Sequence, residues 1–208
     1  MSALPPHGPR LTWEANLDSI NRRDALFAAL AVNLASASAS AQTGDHAMTD
    51  HTANDHRNDW AWLVGSWNVR HRRLKERLTG STEWEEFNGA CTMWPTLNGH
   101  GNVDDNWLDF PTGAYRAVSL RAFNPETQQW AIWWLDERSP NSLGEPVRGS
   151  FTNGVGEFSA DDTLRGQPIR VRFRWSDIAA NSARWEQAFS PDGGETWEVN
   201  WVMHFTRA

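Results

Sequence analysis

From residue 59 onward, apolar and polar residues alternate with a period of two, as expected of half-buried strands whose successive side chains point to opposite faces. Turn-forming residues cut the alternation about every 8 to 12 residues, and no helical period persists over a comparable length. The pattern predicts ten strands, over residues 60–74, 82–94, 101–110, 114–123, 129–137, 147–152, 156–160, 167–175, 183–189 and 196–206. The breaks carry turn chemistry: Asn124-Pro125-Glu126-Thr127 suits a type I turn, Asn153-Gly154 a tight hairpin, and Leu164-Arg165-Gly166 a bend with positive φ. Ten strands are enough to close around a lumen. The expected fold is therefore all-β, a single antiparallel up-and-down β-barrel of about 8–10 strands over residues 59–208.

The first 58 residues carry a different pattern. The pair Arg22-Arg23 precedes a modestly apolar run, Leu26 to Leu34, followed by the small residues Ala35 to Ala41. This is the layout of a bacterial twin-arginine signal peptide over residues 1–41, with small-x-small cleavage options near Ala41. The apolar run is too short to span a bilayer as a helix. Ala25 stands where that signal usually has a bulky apolar residue, and an amphipathic surface helix over 18–34 is the competing reading. Residues 42–58 repeat Asp-His at a spacing of five: Asp45-His46, Asp50-His51 and Asp55-His56. That spacing aligns the rings on neither a helix nor a strand, so a solvated linker is expected rather than a metal site. The protein is expected to be periplasmic or secreted, with no membrane insertion after processing.

Composition narrows the partners. The chain of 208 residues has a net charge of -7, which argues against nucleic acid because phosphate binding needs a basic footprint. Its single cysteine, Cys91, excludes an intrachain disulfide and sits in a strand-like context where a thiol behaves as a small hydrophobe. Tryptophan is over-represented, with 14 in the chain.

Three stretches point to a family. Gly65-Ser66-Trp67 opens the first strand and resembles the Gly-x-Trp signature of lipocalins and other calycins. In the middle of the chain, Arg121-Ala122-Phe123-Asn124-Pro125-Glu126-Thr127 is followed by Trp130-Ala131-Ile132-Trp133-Trp134-Leu135-Asp136, and the chain finishes with His204-Phe205-Thr206-Arg207. Together, over residues 59–208, these resemble an uncharacterised bacterial calycin-like family of domains of unknown function. The resemblance implies a lipocalin-like barrel and no established activity. It also implies that Trp67 and Arg207 meet where the first and last strands pair, with the guanidinium over the indole.

Candidate chemistry is sparse. On the strand predicted at 129–137, Trp134 and Asp136 share one face and Trp133 the other; both faces are apolar enough to line a lumen. The polar stretch from His100 to Trp107 sets Asn102, Asp104 and Asn106 on one side, a row suited to hydroxyl groups but with too few oxygens for Ca²⁺. The expected ligand-binding set is Trp134, Trp133, Asp136, Asp104, Asn106, Asn102 and Arg121, with Asp104, Asn106 and Asp136 at the mouth. Gly65, Trp67, Arg207, Asp192 and Trp197 are expected to be structural. The last two belong to Ser190-Pro191-Asp192-Gly193-Gly194-Glu195-Thr196-Trp197, an Asp-box that serves as a hairpin staple. Trp197, Val199, Trp201, Met203 and Phe205 fall on one face of the last strand and His204 on the other, so His204 is placed to face away from a lumenal haem. No metal site and no cofactor are expected. A binder of a small apolar or glycosidic ligand leads, as a monomer or homodimer. The alternatives are a lipocalin-like enzyme of isomerase, cyclase, hydratase or lyase type using a lumenal carboxylate or His, and a structural or partner-binding barrel with a packed core.

Overall fold

The structure, a computed structural model, describes residues 56–208. The signal expected at 1–41, the competing helix and the Asp-His stretch up to Asp55 lie outside the described residues. Ten antiparallel strands form a closed barrel in simple sequence order: β1 (Gly65–Leu74), β2 (Trp84–Thr96), β3 (Gly101–Leu108), β4 (Tyr115–Asn124), β5 (Gln129–Asp136), β6 (Val147–Thr152), β7 (Val155–Leu164), β8 (Gln167–Ser176), β9 (Ser182–Ser190) and β10 (Glu198–Arg207). Closure comes from β10 pairing with β1, in a register that sets Arg207 opposite Trp67.

The alternation builds this directly. Trp67, Val69 and His71 on β1, Phe87, Cys91 and Met93 on β2, and Ile169, Val171 and Trp175 on β8 point inward and are buried, while their neighbours face out. Two hairpins turn at Asn153-Gly154 and Arg165-Gly166, where both residues of each pair have positive φ. At Gly149 a Cβ would sit 1.8 Å from the Glu157 carbonyl oxygen, so only glycine lets β6 approach β7 this closely. At the Asn124 turn the side-chain Oδ1 accepts from the amides of Glu126 and Thr127 at 2.8 and 3.2 Å.

The structure departs from the alternation at three places. Residues 60–64 are not strand: Ala61–Leu63 is a 3₁₀ turn, because Trp60 and Leu63 both enter the core and a three-residue spacing needs a helical step. This turn plugs one end of the barrel. Trp60 packs edge-on against Trp130, Phe151 and Trp175, and the Asp59 carboxylate accepts from Trp130 Nε1 at 2.9 Å. The linker expected to reach residue 58 therefore ends sooner, since His56 stacks on Phe123 with ring centres 3.5 Å apart. β7 also runs four residues beyond the expected strand at 156–160, carrying Asp161 and Asp162 into the wall. Lastly, β10 has a bulge between Val199 and Trp201, which reverses the side-chain parity. Trp201, Met203 and Phe205 face in and His204 out, but Trp197 lies on the outer side, 4.4 Å from the Arg172 guanidinium, and not with Trp201 as simple alternation placed it.

Arg207 anchors the plugged end. Its guanidinium lies 3.8 Å from the centre of the Trp67 ring and donates to the carbonyls of Val64 at 2.6 Å and Trp62 at 2.8 Å. Trp67 Nε1 donates to Leu63 O at 2.7 Å, so the buried indole is satisfied on its edge and covered on its face. Gly65, with φ of 105°, admits this arrangement, because a Cβ there would lie 3.3 Å from Arg207 Nη1. At the opposite end the Asp192 carboxylate accepts from the Thr196 hydroxyl at 2.5 Å and the Thr196 amide at 2.9 Å, and Trp197 Nε1 donates to Gly194 O at 3.0 Å. These bonds hold the carboxyl of Asp192 well below the usual range, the Thr196 hydroxyl contributing most.

Candidate functional site: an aromatic lumen

The barrel wall is thin at one seam. β5 pairs with β6 only through Trp130, Ala131 and Ile132, and β6 pairs with β7 only up to Ser159. Beyond those points, residues 137–146 bridge the gap between β5 and β7. Behind this seam the lumen encloses a cavity of about 400 Å³, open at the end opposite the plug and within the range that holds small ligands. Inner positions of β5, β8, β9 and β10 give it an aromatic wall: Trp134, Phe173, Trp175, Trp185, Trp201 and Phe205. On the other side of the lumen, His71, Phe87, Arg73 and Phe110 stack into a filled layer.

Two of the carboxylates that line the cavity, Asp104 and Asp136, have a guanidinium close beside them. Asp104 pairs with Arg121 at 2.6 Å, with side chains 3% and 4% exposed. The same carboxylate accepts from Asn106 Nδ2 at 2.6 Å and from the Ser119 amide at 3.1 Å, which fills most of its lone pairs. Asp136 takes two bonds from the Arg138 side chain, at 2.9 and 3.1 Å, and one from its amide at 3.0 Å. Trp134 Nε1 approaches the Asp136 carboxylate at 3.4 Å. Across the lumen Gln187 donates to the fully buried Asn200 at 2.8 Å. At the mouth lie Glu145, Asp161 and Asp162, and burial pushes the Asp162 carboxyl above its ordinary value.

The expected site residues divide accordingly. Trp134, Asp136, Asp104, Asn106 and Arg121 line the cavity. Trp133 does not: it follows the outward parity of β5, next to Ala131 and Arg148 on the outer wall. Asn102 is buried but sits behind the cavity, where its Oδ1 accepts from Arg121 Nη1 at 2.9 Å and holds the guanidinium in place. Asp104 is not at the mouth either; it lies at mid-height of β3, level with Ser119 and Trp134. The cavity wall contributed by Phe173, Trp175, Trp185, Gln187 and Trp201 was absent from the expected set, although the inward parity of β8 and β9 is written in Val171, Phe173 and Trp175 and in Trp185, Gln187 and Phe189.

One histidine is enclosed. His71 is stacked face to face on Phe87 at 4.5 Å, and its Nδ1 accepts from Trp201 Nε1 at 3.3 Å, which places the ring proton on Nε2. Burial lowers its pKa from 6.5 to about 3, and the charge of Arg73 acts in the same direction. The folded protein thus favours the neutral ring. The stability this gives is whole above the unfolded value of 6.5 and is lost progressively as the pH falls toward about 3. Melting temperatures measured from neutral to acid pH are expected to fall more steeply for the wild type than for His71→Gln, which keeps an acceptor for Trp201 and cannot titrate; equal slopes would remove His71 as the acid-sensitive group.

Among the described residues no group of three or more His, Cys, Asp or Glu side chains is placed to hold a metal ion. Cys91 is buried, and burial raises its thiol far above the ordinary value, which keeps it protonated and unreactive. No protein-family model matches the chain, and no curated protein matches it.

Proposed function

We propose that this protein is an exported, calycin-like carrier or receptor that binds a small, uncharged, largely apolar ligand in the lumen. The observation that carries the reading is the aromatic cavity of about 400 Å³ in which Asp104 and Asp136 are each already paired with an arginine of the chain itself. A charged ligand that passes Asp162 at the mouth loses its hydration deeper in without gaining an unpaired counter-charge at Asp104 or Asp136, whereas a neutral ring system gains indole contacts. The amide of Asn106, the hydroxyl of Ser119 and the amide of Gln187 supply hydrogen bonds for one or two hydroxyl or carbonyl groups, as barrels with few polar anchors do.

The test uses N-phenyl-1-naphthylamine, a neutral aromatic probe. It is expected to gain fluorescence on mixing and to quench the tryptophans, because the cavity wall is itself indole. In Trp134→Ala the probe affinity is expected to fall about tenfold or more, the loss of one well-packed aromatic contact of ~1.5 kcal/mol. Trp133→Ala, on the outer wall, is expected to bind as the wild type does. A probe that fails to bind, or binds both variants alike, overturns the lumenal reading.

Export by the twin-arginine route belongs to the same proposal, resting on Arg22-Arg23 and the small-residue run ending at Ala41. Replacing both arginines by lysine is expected to leave the chain unprocessed inside the cell. Processed protein in the periplasm of that double variant would show that another route carries it.

A further inference from the structure

The outer surface of the barrel has two different halves. Around β1, β8 and β9 it is charged: Arg70 and Arg184 bond Glu86 and Glu186, each at 2.5 Å, and Arg170, Arg172 and Arg174 line β8. The charge reaches Glu86 on β2, but from Thr92 and Trp94 of that strand across β3, β4 and β5 the outer face is largely apolar. Strand pairing sets Trp94, Val103, Leu120 and Trp133 side by side in one row, and Thr92, Asp105, Val118 and Leu135 in the next. Trp107 extends the face toward the open end, beside Arg116.

We propose that this face is the contact between two copies of the chain. Trp94 and Trp107 are 46% and 40% exposed, and Val118 and Leu120 37% and 36%. Since an indole carries up to about 250 Å², each Trp presents ~100 Å² of ring. With Val103, Trp133 and Leu135 the patch reaches about 500 Å², near the top of what a monomer ordinarily exposes. Its polar rim brings it toward the ~800 Å² per partner of a standard interface.

The face also complements itself. Consider a twofold axis in its plane, parallel to the strands and between β3 and β4. It sets Trp94 against Trp133 of the partner subunit and Val103 against Leu120 of the partner subunit. It also lays Arg116, which bonds Asp105 in its own chain, over Trp107 of the partner subunit. The charged half of the barrel offers no such self-match, because arginines dominate β8. The pairing leaves the open end and its cavity free, so it is independent of the lumenal reading.

Sedimentation velocity on the full chain tests this. At about 50 μM the wild type is expected to sediment with twice the chain mass of 23.5 kDa, and to dissociate on dilution. Leu120→Lys and Trp94→Ser are each expected to sediment as monomers with the near-ultraviolet circular dichroism of a folded barrel, while Arg70→Ala on the charged half stays dimeric. Should Leu120→Lys fail to fold, Trp94→Ser decides, because so exposed a ring contributes little to the fold. A wild type that stays monomeric overturns the proposal, as does a dimer that survives both substitutions. So does a monomer that floats with phosphatidylglycerol–phosphatidylethanolamine vesicles, since the face would then serve a lipid surface.

Discussion

Arg121→Met is expected to destabilise the barrel by about 3–5 kcal/mol, because it strands the Asp104 carboxylate in the lumen without its cation. The pair is closed at 2.6 Å with both side chains almost wholly buried, so water cannot take the place of the lost guanidinium. Asn102 would lose its donor as well, and the Trp60 ring the cation that lies 4.5 Å from its centre. The double variant Asp104→Leu with Arg121→Met removes both charges and is expected to recover most of the loss, since a buried pair stabilises little beyond an apolar replacement of similar volume. Urea unfolding of the three proteins reads this out. A single variant that loses less than about 1 kcal/mol would mean that the pair is solvated and that the lumen is wetter than its burial implies.

Trp67→Ala is expected to cost a similar amount, about 3–5 kcal/mol, through a different cause. The indole is 1% exposed and meets Trp62 and Phe205 edge-on. Its loss leaves a cavity at the closed end and takes away the ring beneath Arg207. Arg207→Met keeps the ring and forfeits the charge-assisted bonds to Val64 and Trp62, so a smaller loss of about 2–3 kcal/mol is expected. The two effects should not add, because the residues share one contact. An unchanged midpoint for Trp67→Ala in thermal unfolding would show that the barrel closes without this end.

The strands were legible because their inner faces had to be apolar and their turns had to reverse the chain; residues such as Ile169, Val171 and Trp175 can pack in only one parity against Arg170, Arg172 and Arg174. β5 was not legible in the same way. Trp133 and Leu135 are as apolar as Trp134, because the outer wall there is itself an apolar surface, and only the register with β4 separates the faces. The interior Arg73 escaped for the converse reason: it reads as a surface residue until Glu85, 2.9 Å away, and the ring of Phe110 are brought beside it. The bulge in β10 falls at Asn200, a lone polar residue inside an otherwise unbroken strand pattern, and strict alternation through it put Trp197 on the face of Trp201. For Asp104, Asn106 and Arg121 the sequence supplied the right chemistry on the right strands but not the depth, which depends on how far each strand is slid against its neighbours.

The contact between Arg207 and Val64 joins residues 143 positions apart. Hairpins such as β7 with β8 form from neighbouring sequence, but the seam between β1 and β10 has to wait until the last strand is available. Until then β1 is an open edge carrying Trp67 and Val69 beside unpaired backbone groups, the kind of edge that recruits strands from other chains. Closing so large a loop is also slow compared with local pairing. During synthesis, the stretch of chain most in need of protection is thus β1, and a molecular chaperone that shields it before Glu198–Arg207 emerges would raise the yield of folded protein more than one acting on any later hairpin.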